Sequence, residues 1–326
     1  MLFILLMTLG AIMTACSNSW IGMWMGLEIN LLSIIPVMTK QNNKMESEAA
    51  MKYFITQALA STIFMMTIII ELPHDDQMKI KALIMNSSIL TKMGAAPFHF
   101  WFPEVMEGMN WVNSTMMMTL QKIAPMTIFM NTNKSMMLTS VTILMSILIS
   151  GIMGLSQTSL KKLMAYSSIN HTGWMLSAIM TNQTAWTLYF FIYTIMTMNV
   201  TLMLNKLNIN SMKQFFNKMN NSKKSKITFA LNFMSMGGIP PFVGFFPKWI
   251  IINSMTNKMM TSTTILMIIM TLMTIFFYMR VTLMVLTLEE TEDTTKKLKL
   301  QSNSLMLVNS IILMSLLMTP MMINFF

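Results

Sequence analysis

Residues 91–104 read TKMGAAPFHFWFPE and lie in the middle of a long apolar region of the chain. The stretch contains a lysine, a glycine, a proline and a histidine, which are Lys92, Gly94, Pro97 and His99. Proline removes a backbone donor and clashes with the preceding helical turn, so a helix that enters this stretch must break. The sequence therefore predicts a charge beside an interrupted helix within one apolar segment.

A second stretch repeats this combination. Residues 236–249 read MGGIPPFVGFFPKW, with several glycines and prolines followed by Lys248. In lipid, the backbone groups that a break sets free must find protein partners or a water-filled cavity. Paired broken helices at corresponding places in two halves of a chain are typical of transporters built from inverted repeats. We therefore expect a transport pathway near the two breaks.

The composition indicates an integral membrane protein rather than a large soluble core. Of the 326 residues, 54% are hydrophobic and only 10% are charged, and the mean hydropathy is +0.57. Soluble domains carry about 25% charged residues, so this chain has too little charge to cover a water-facing surface. A single cysteine, Cys16, excludes an internal disulfide and a cysteine-bound zinc site or iron–sulfur cluster in this chain.

The apolar runs predict an all-α membrane protein with about eleven spans. The predicted spans are residues 1–17, 20–38, 52–70, 82–102, 113–130, 136–156, 163–180, 184–205, 227–254, 260–287 and 304–325. Residues 1–130 form a first five-helix repeat and residues 136–287 a second, each with a discontinuous helix. Because five is an odd number, the second repeat must be inverted. Residues 304–326 form an extra C-terminal transmembrane helix.

The loop charges predict the orientation of the chain. With these spans, fourteen lysines fall in loops on the N-terminal side of the membrane and four in loops on the other side. An excess of lysine marks the cytoplasmic or matrix side, so we expect the N-terminus there. The basic loops lack aromatic residues interleaved for base stacking, so we expect no nucleic-acid partner.

Ionisable residues within the spans are the candidates for function, because a charge at the bilayer centre costs about 2.5–3.5 kcal/mol. Lys92 and Lys248 lie on the broken spans, Lys122 lies on the fifth span, and Glu28 and His171 lie on the second span of each repeat. A lysine removed from water exchanges its proton near neutral pH more readily than one in water. A row of such groups can pass protons stepwise.

Each candidate also has a structural interpretation. Glu28 can serve as a buried hydrogen-bonding partner, and Lys92 and Lys122 as ion-pair partners or as side chains that reach for the interface. Lys248 can cap a half-helix, and His171 can form an interhelical hydrogen bond. The sequence alone leaves these alternatives open.

The excess of methionine indicates a bias of the coding genome rather than a structural requirement. The chain has 47 methionines, although Met, Ile and Leu are similar as lipid-facing side chains. This bias is typical of an AT-rich genome in which an isoleucine-like codon is read as methionine. An invertebrate mitochondrial gene fits that description.

Six stretches of the chain carry a family resemblance: GMWMGLEINLLSIIPVM (22–38), EAAMKYFITQALAS (48–61), TKMGAAPFHFWFPEV (91–105), LQKIAPM (120–126), LMAYSSINHTGWM (163–175) and MGGIPPFVGFFPKW (236–249). They closely resemble the subunit 2 family of mitochondrial NADH:ubiquinone oxidoreductase, respiratory complex I. The resemblance extends over almost the whole chain and is weakest in the loop at residues 206–226 and near the C-terminus.

The resemblance implies a fold related to subunits of cation/proton antiporters and a location in the mitochondrial inner membrane. It also implies a place in the membrane arm, beside other antiporter-like, small hydrophobic and accessory subunits and bound phospholipid. In that family a glutamate pairs with a lysine on a broken helix, followed by a connecting and a terminal lysine. Glu28, Lys92, Lys122 and Lys248 match those positions. FMN, iron–sulfur clusters and ubiquinone belong to other subunits, and this chain holds no cofactor.

We therefore expect a core membrane-arm subunit of proton-pumping NADH:ubiquinone oxidoreductase, an enzyme complex that acts as a translocase. The chain would carry a buried Glu/Lys proton relay, coupled to electron transfer elsewhere in the complex. One alternative is a stand-alone cation/proton antiporter, which would share the broken helices and lysines. Another is a structural membrane scaffold without its own proton path.

Overall fold

The structure is a computed structural model of the chain. The described residues are 2–39, 43–70, 75–219, 223–240 and 242–287. The predicted loop at residues 288–303 and the predicted C-terminal helix at residues 304–326 therefore lie outside the described residues. The chain divides into two compact units, with the boundary between Ser146 and Ile147.

The first unit consists of helices joined by short loops. Its helices are α1 (Leu2–Cys16), α2 (Trp20–Met38), α3 (Lys44–Ile69), α4 (Asp75–Met93), α5 (Trp101–Gly108), α6 (Trp111–Met118) and α7 (Leu120–Asn131). Helix α8 (Met136–Leu155) crosses the boundary into the second unit. Helix α7 packs against α1, α2 and α4, so it lies at the centre of the first unit.

The second unit is also helical. Its helices are α9 (Leu160–Thr181), α10 (Gln183–Lys206), α11 (Met212–Met219), α12 (Lys223–Gly237), α13 (Phe245–Asn257) and α14 (Thr261–Thr287). Helix α9 is buried along nearly its whole length and packs against α10 and α13. Among the described residues, the β pairing consists of one isolated bridge between Ser159 and Ser211.

The helices carry their apolar side chains outward, as a lipid environment requires. Helix α14 buries polar residues such as Thr264, Thr271 and Thr274, while Leu272 and Phe276 are exposed. A soluble amphipathic helix shows the opposite arrangement. Five of the described helices (α2, α3, α8, α10 and α14) are long and apolar enough to cross a membrane individually. The structure therefore agrees with the predicted all-α membrane protein.

Both predicted breaks are present, and both begin with the same backbone turn. Helix α4 ends before Gly94, which has a φ of +68°, and the N–H groups of Gly94 and Ala95 donate to the carbonyls of Thr91 and Leu90, respectively. These are the two bonds of the Schellman motif, which satisfies carbonyls at a helix C-terminus and favours glycine at the position with positive φ.

The second break repeats the motif at the end of α12. Gly238 has a φ of +75°, and its N–H donates to the carbonyl of Ser235 at 3.0 Å. The N–H of Ile239 donates to the carbonyl of Met234 at 3.4 Å. The chain then resumes as α13, just as the first break resumes as α5.

The predicted span at residues 113–130 is formed by two helices rather than one, because the structure has a further interruption at Thr119 that was not predicted. The hydroxyl of Thr119 donates to the carbonyl of Thr115 at 2.8 Å, a contact that bends helices. The N–H of Lys122 then donates to the carbonyl of Thr119, three residues back rather than four. Helix α7 therefore starts as a new helix just before Lys122.

Candidate functional site

Glu28 lies on α2 and is partly buried. Its Oε1 atom is shielded from solvent and accepts no hydrogen bond from the described residues. Its charge acts on Lys92 of α4 and on Tyr53 of α3. Glu28 and Lys92 do not form an ion pair within 4.0 Å in the described part of the chain. The carboxylate is therefore close enough to influence Lys92 without holding its ammonium directly.

Lys92 lies in the last turn of α4, directly before the first break. Its side chain is buried. The indole Nε1 of Trp101, at the start of α5, donates to the carbonyl of Thr91 at 3.0 Å and so joins the two sides of the break. The imidazole Nδ1 of His99 lies 3.3 Å from the carbonyl of Pro97, within the turn itself. The break thus fixes the helix end that carries Lys92.

Lys122 lies in the first turn of α7, just after the interruption at Thr119. Its side chain is 2% exposed, and its Nζ lies 5.4 Å from the centre of the Phe102 ring. An ammonium over an aromatic ring is attracted by the negative face of the ring. Lys92 and Lys122 are therefore each placed beside a helix break in the first unit.

A small cavity joins these two lysines. It has a volume of about 20 Å³, and both Lys92 and Lys122 line it. The polar residues that complete its wall are Asn30, Tyr53, Gln57 and Gln121. A cavity needs about 10–15 Å³ of such volume to hold a water molecule, so this one has room for about one. The cavity thus gives the two lysines a shared polar space.

A hydrogen-bonded network that the sequence did not reveal flanks this cavity. The hydroxyl of Tyr53 donates to Oε1 of Gln121 at 3.1 Å, and Nε2 of Gln121 donates to Oδ1 of Asn30 at 2.9 Å. The same Nε2 contacts the sulfur of Met7 at 3.4 Å. Gln121 thus links α1, α2 and α3 to α7. The sequence hinted at this network only through the polar residues Thr119 and Gln121, which precede Lys122 in an apolar segment.

Lys248 lies in the first turn of α13, after the second break. Its Nζ donates to the carbonyl of Gly237, the last residue of α12, at 2.7 Å. The same ammonium lies 5.7 Å from the centre of the Trp174 ring on α9. This hydrogen bond agrees with the capping role considered for Lys248, and it holds the lysine where α12 and α13 meet.

His171 is buried on α9 in the second unit. Its Nδ1 lies 2.8 Å from the hydroxyl of Tyr189, and its ring centre is 4.9 Å from that of Tyr193. These contacts agree with the interhelical hydrogen bond expected for His171. The structure thus brings Glu28, Lys92 and Lys122 together in the first unit and places Lys248 and His171 in the second.

Metal ligands are not clustered in the part of the chain that the structure describes. No group of three or more His, Cys, Asp or Glu side chains is placed there to hold a metal ion.

Comparison with known proteins shows the family of the chain. The family described as "NADH:quinone oxidoreductase/Mrp antiporter, TM" matches residues 17–275. NADH-ubiquinone oxidoreductase chain 2 of Anopheles gambiae is 41% identical over 315 residues, which are 95% of this chain and 89% of that protein. Chain 2 of Rhinoceros unicornis is 36% identical over 328 residues, which are 96% of this chain and 94% of that protein.

Solved structures share the fold. A chain of respiratory complex I from Thermus thermophilus, solved with bound aureothin, superposes with a TM-score of 0.86 at 21% identity, covering 98% of this chain and 77% of that one. A chain of the Mrp complex from Dietzia sp. DQ12-45-1b gives a TM-score of 0.77 at 16% identity, covering 90% of this chain and 62% of that one. The chain therefore belongs to the NADH:quinone oxidoreductase/Mrp antiporter family, and within it to the NADH-ubiquinone oxidoreductase chain 2 family.

Proposed function

We propose that this chain is a membrane-arm subunit of proton-pumping NADH:ubiquinone oxidoreductase in the mitochondrial inner membrane. Glu28, Lys92, Lys122 and Lys248 form its proton relay, and His171 is a further candidate member. The single observation that carries this proposal is the polar cavity lined by both Lys92 and Lys122. Two buried lysines are costly in a membrane, and ionisable residues that face such a cavity typically mark an ion or proton pathway.

Electrostatics drives the relay. An opposite charge nearby stabilises an ammonium, so under this proposal the carboxylate of Glu28 keeps the proton on Lys92. If Glu28 is neutralised, Lys92 releases its proton more readily, and the neutral amine of Lys122 can accept it. Moving one charge through about 100 mV costs about 2.3 kcal/mol, a cost comparable to a change of about two pKa units. Changes in the charge of neighbouring groups can supply an energy of this size.

Lys248 acts as the terminal member under this proposal. Its ammonium donates to the carbonyl of Gly237 at the end of α12, so any shift between α12 and α13 would change its surroundings. Two inverted five-helix repeats account for the shared turn at Gly94 and Gly238. The N-terminus lies on the matrix side under this proposal, which the excess of lysine in the loops on that side supports.

Electron transfer is assigned to other subunits of the complex. FMN, the iron–sulfur clusters and ubiquinone bind there, and this chain contributes proton movement coupled to their chemistry. Its single cysteine fits that division. Its partners are the other antiporter-like and small hydrophobic membrane-arm subunits, accessory subunits and phospholipid.

A test of the relay replaces Lys122 by Met in the assembled complex, reconstituted in vesicles. Met keeps the length and apolar character of the side chain and removes the exchangeable proton. We expect NADH-driven proton uptake and NADH:quinone turnover to fall together by about a hundredfold or more, the range for loss of a proton-transfer group. If Lys122→Met assembles normally and both quantities stay normal, the chain is a scaffold without its own proton path.

A second candidate function is a stand-alone cation/proton antiporter, favoured by the similarity in fold to a chain of the Mrp complex. The discriminating measurement is native electrophoresis of solubilised membranes. Comigration of the chain with a large NADH-oxidising assembly supports the first function. A stable, isolated chain that exchanges cations for protons without NADH supports the second.

A further inference from the structure

Gln57 is the polar residue of the cavity wall that has no role so far. It lies on α3 and lines the cavity together with Lys92 and Lys122. Its side chain is 5% exposed, and its Nε2 donates no hydrogen bond to the described residues. A buried donor left unsatisfied costs about 1–3 kcal/mol. Native proteins pair such groups with protein atoms or with ordered water.

The second glutamine of the cavity wall provides a contrast. Gln121 uses its Oε1 to accept from Tyr53, and its Nε2 is occupied by Asn30 and the sulfur of Met7. Gln121 is therefore fixed between helices. Gln57 is the glutamine whose amide nitrogen is left to bind something inside the cavity.

The size and chemistry of the cavity identify that ligand as water. A volume of about 20 Å³ admits about one water molecule and excludes any larger solute. A buried water typically makes two to four hydrogen bonds, and the ammonium and amine groups of Lys92 and Lys122 and the amide of Gln57 offer three partners. Asn30, Tyr53 and Gln121 also line the cavity but are bonded to one another, so Gln57 is the wall residue whose amide donor is left for the water.

We infer that Gln57 is a positioning residue whose amide holds one water molecule between Lys92 and Lys122, so that this water conducts the proton between them. The ammonium of Lys92 gives a proton to the water oxygen while the water gives one of its own protons to the neutral amine of Lys122. The water is regenerated, and one positive charge has moved from Lys92 to Lys122. This inference rests on the proposed relay.

The test compares two variants of α3 in the assembled complex. Gln57→Met keeps the length and volume of the side chain but removes the amide. Ser61→Ala is the control, because Ser61 lies one turn further along α3, is buried, donates to the carbonyl of Ala58 at 2.8 Å and does not line the cavity. Each complex is imaged at a resolution that shows water, and proton uptake per NADH is measured in vesicles.

The wild-type and Ser61→Ala maps should show one water within hydrogen-bond distance of Gln57 Nε2 and of both lysines. Gln57→Met should lose that water and reduce NADH-driven proton uptake by about tenfold, as expected for a misplaced proton carrier. A wild-type map without this water overturns the inference, whether or not the variant assembles. Loss of the water with normal proton uptake overturns the positioning role as well.

Lys92→Met in the same assay separates this inference from the function on which it rests. If Lys92→Met stops proton uptake while Gln57→Met leaves it normal, the relay stands and the water inference fails. If both variants pump normally, the relay itself fails.

Discussion

The two broken helices use the same backbone turn but hold their lysines differently. At the first break, Lys92 precedes Gly94, lines a cavity with Lys122 and interacts with Glu28 without an ion pair. At the second, Lys248 lies beyond the break and donates to the carbonyl of the last residue of α12. Both breaks are formed by the same backbone turn. The two lysines differ in their contacts because one lies before the turn and the other lies after it. Under the proposed relay the first lysine exchanges protons, whereas the second also connects the two half-helices.

The largest expected effect concerns the second break and has no equivalent at the first. A Cβ at Gly244 would lie 1.8 Å from the carbonyl oxygen of Ser235, so α12 and α13 could not both keep their places. We expect Gly244→Ala to destabilise the subunit by about 3 kcal/mol or more, the upper range for overpacking. The measurement is the amount of the chain incorporated into the complex. Normal incorporation would show that the two half-helices are not closely packed.

The next effect compares the two glycines of the shared turn. An alanine at positive φ costs about 1–2 kcal/mol, and both Gly94→Ala and Gly238→Ala should show this cost as lower thermal stability of the complex. Gly238→Ala should cost more, because its Cβ would lie 2.7 Å from Nζ of Lys248, whereas the Cβ at Gly94 would meet its nearest atom at 3.3 Å.

Lys248→Ala provides the control for this pair, because it removes the atoms that the Cβ at position 238 would meet. In a Lys248→Ala background, Gly238→Ala should cost no more than Gly94→Ala does, while a Lys92→Ala background should not change the cost of Gly94→Ala. Equal losses of thermal stability in Gly94→Ala and Gly238→Ala would show that Lys248 does not pack more closely on its turn than the neighbours of Gly94 do.

A smaller effect separates the two lysines themselves. Lys248→Met leaves the carbonyl of Gly237 without its donor and should lower stability by about 1–3 kcal/mol. Lys92→Met removes a buried charge without a hydrogen-bonded acceptor among the described residues, so its effect on stability should be smaller. Thermal unfolding of the two variant complexes measures the difference. A larger loss for Lys92→Met would reverse the assignment of roles.

The smallest effect is expected at an exposed lysine. Lys52 of α3 pairs with Glu104 of α5 at 2.9 Å and with Glu48 at 3.1 Å, and all three side chains are substantially exposed. Exposed ion pairs contribute little because water and salt screen them. Lys52→Met should leave thermal stability nearly unchanged at high salt. A loss as large as that of Lys248→Met would mean that this pair holds the second half of the first broken helix in place.

The sequence predicted the two breaks because their cause is local. Proline and glycine in an apolar run interrupt a helix wherever the run is placed, so the segments around Pro97 and Pro240 could be recognised without a structure. The membrane class followed from composition for the same reason. The interruption at Thr119 escaped prediction because neither proline nor glycine marks it. A threonine hydroxyl bonded four residues back, as at Thr119, also occurs at Thr197 inside the unbroken helix α10.

The candidate site could be predicted only as a set of residue types. Charged residues within apolar spans marked Glu28, Lys92, Lys122 and Lys248, but their spacing in the sequence does not say which of them share a cavity. The contact between Tyr53 and Gln121 joins residues 68 positions apart, and it depends on how each helix is rotated about its axis. Uncharged amides such as Gln57 carry no comparable signal.

The central claim is that Lys92 exchanges protons, and its most direct test pairs a buried lysine with an exposed one. Lys92→Met and Lys52→Met complexes are assembled, reconstituted in vesicles and assayed for NADH-driven proton uptake and NADH:quinone turnover together. The relay predicts that both quantities collapse in Lys92→Met and stay normal in Lys52→Met. Normal proton uptake per NADH and normal turnover in a fully assembled Lys92→Met complex would contradict the relay.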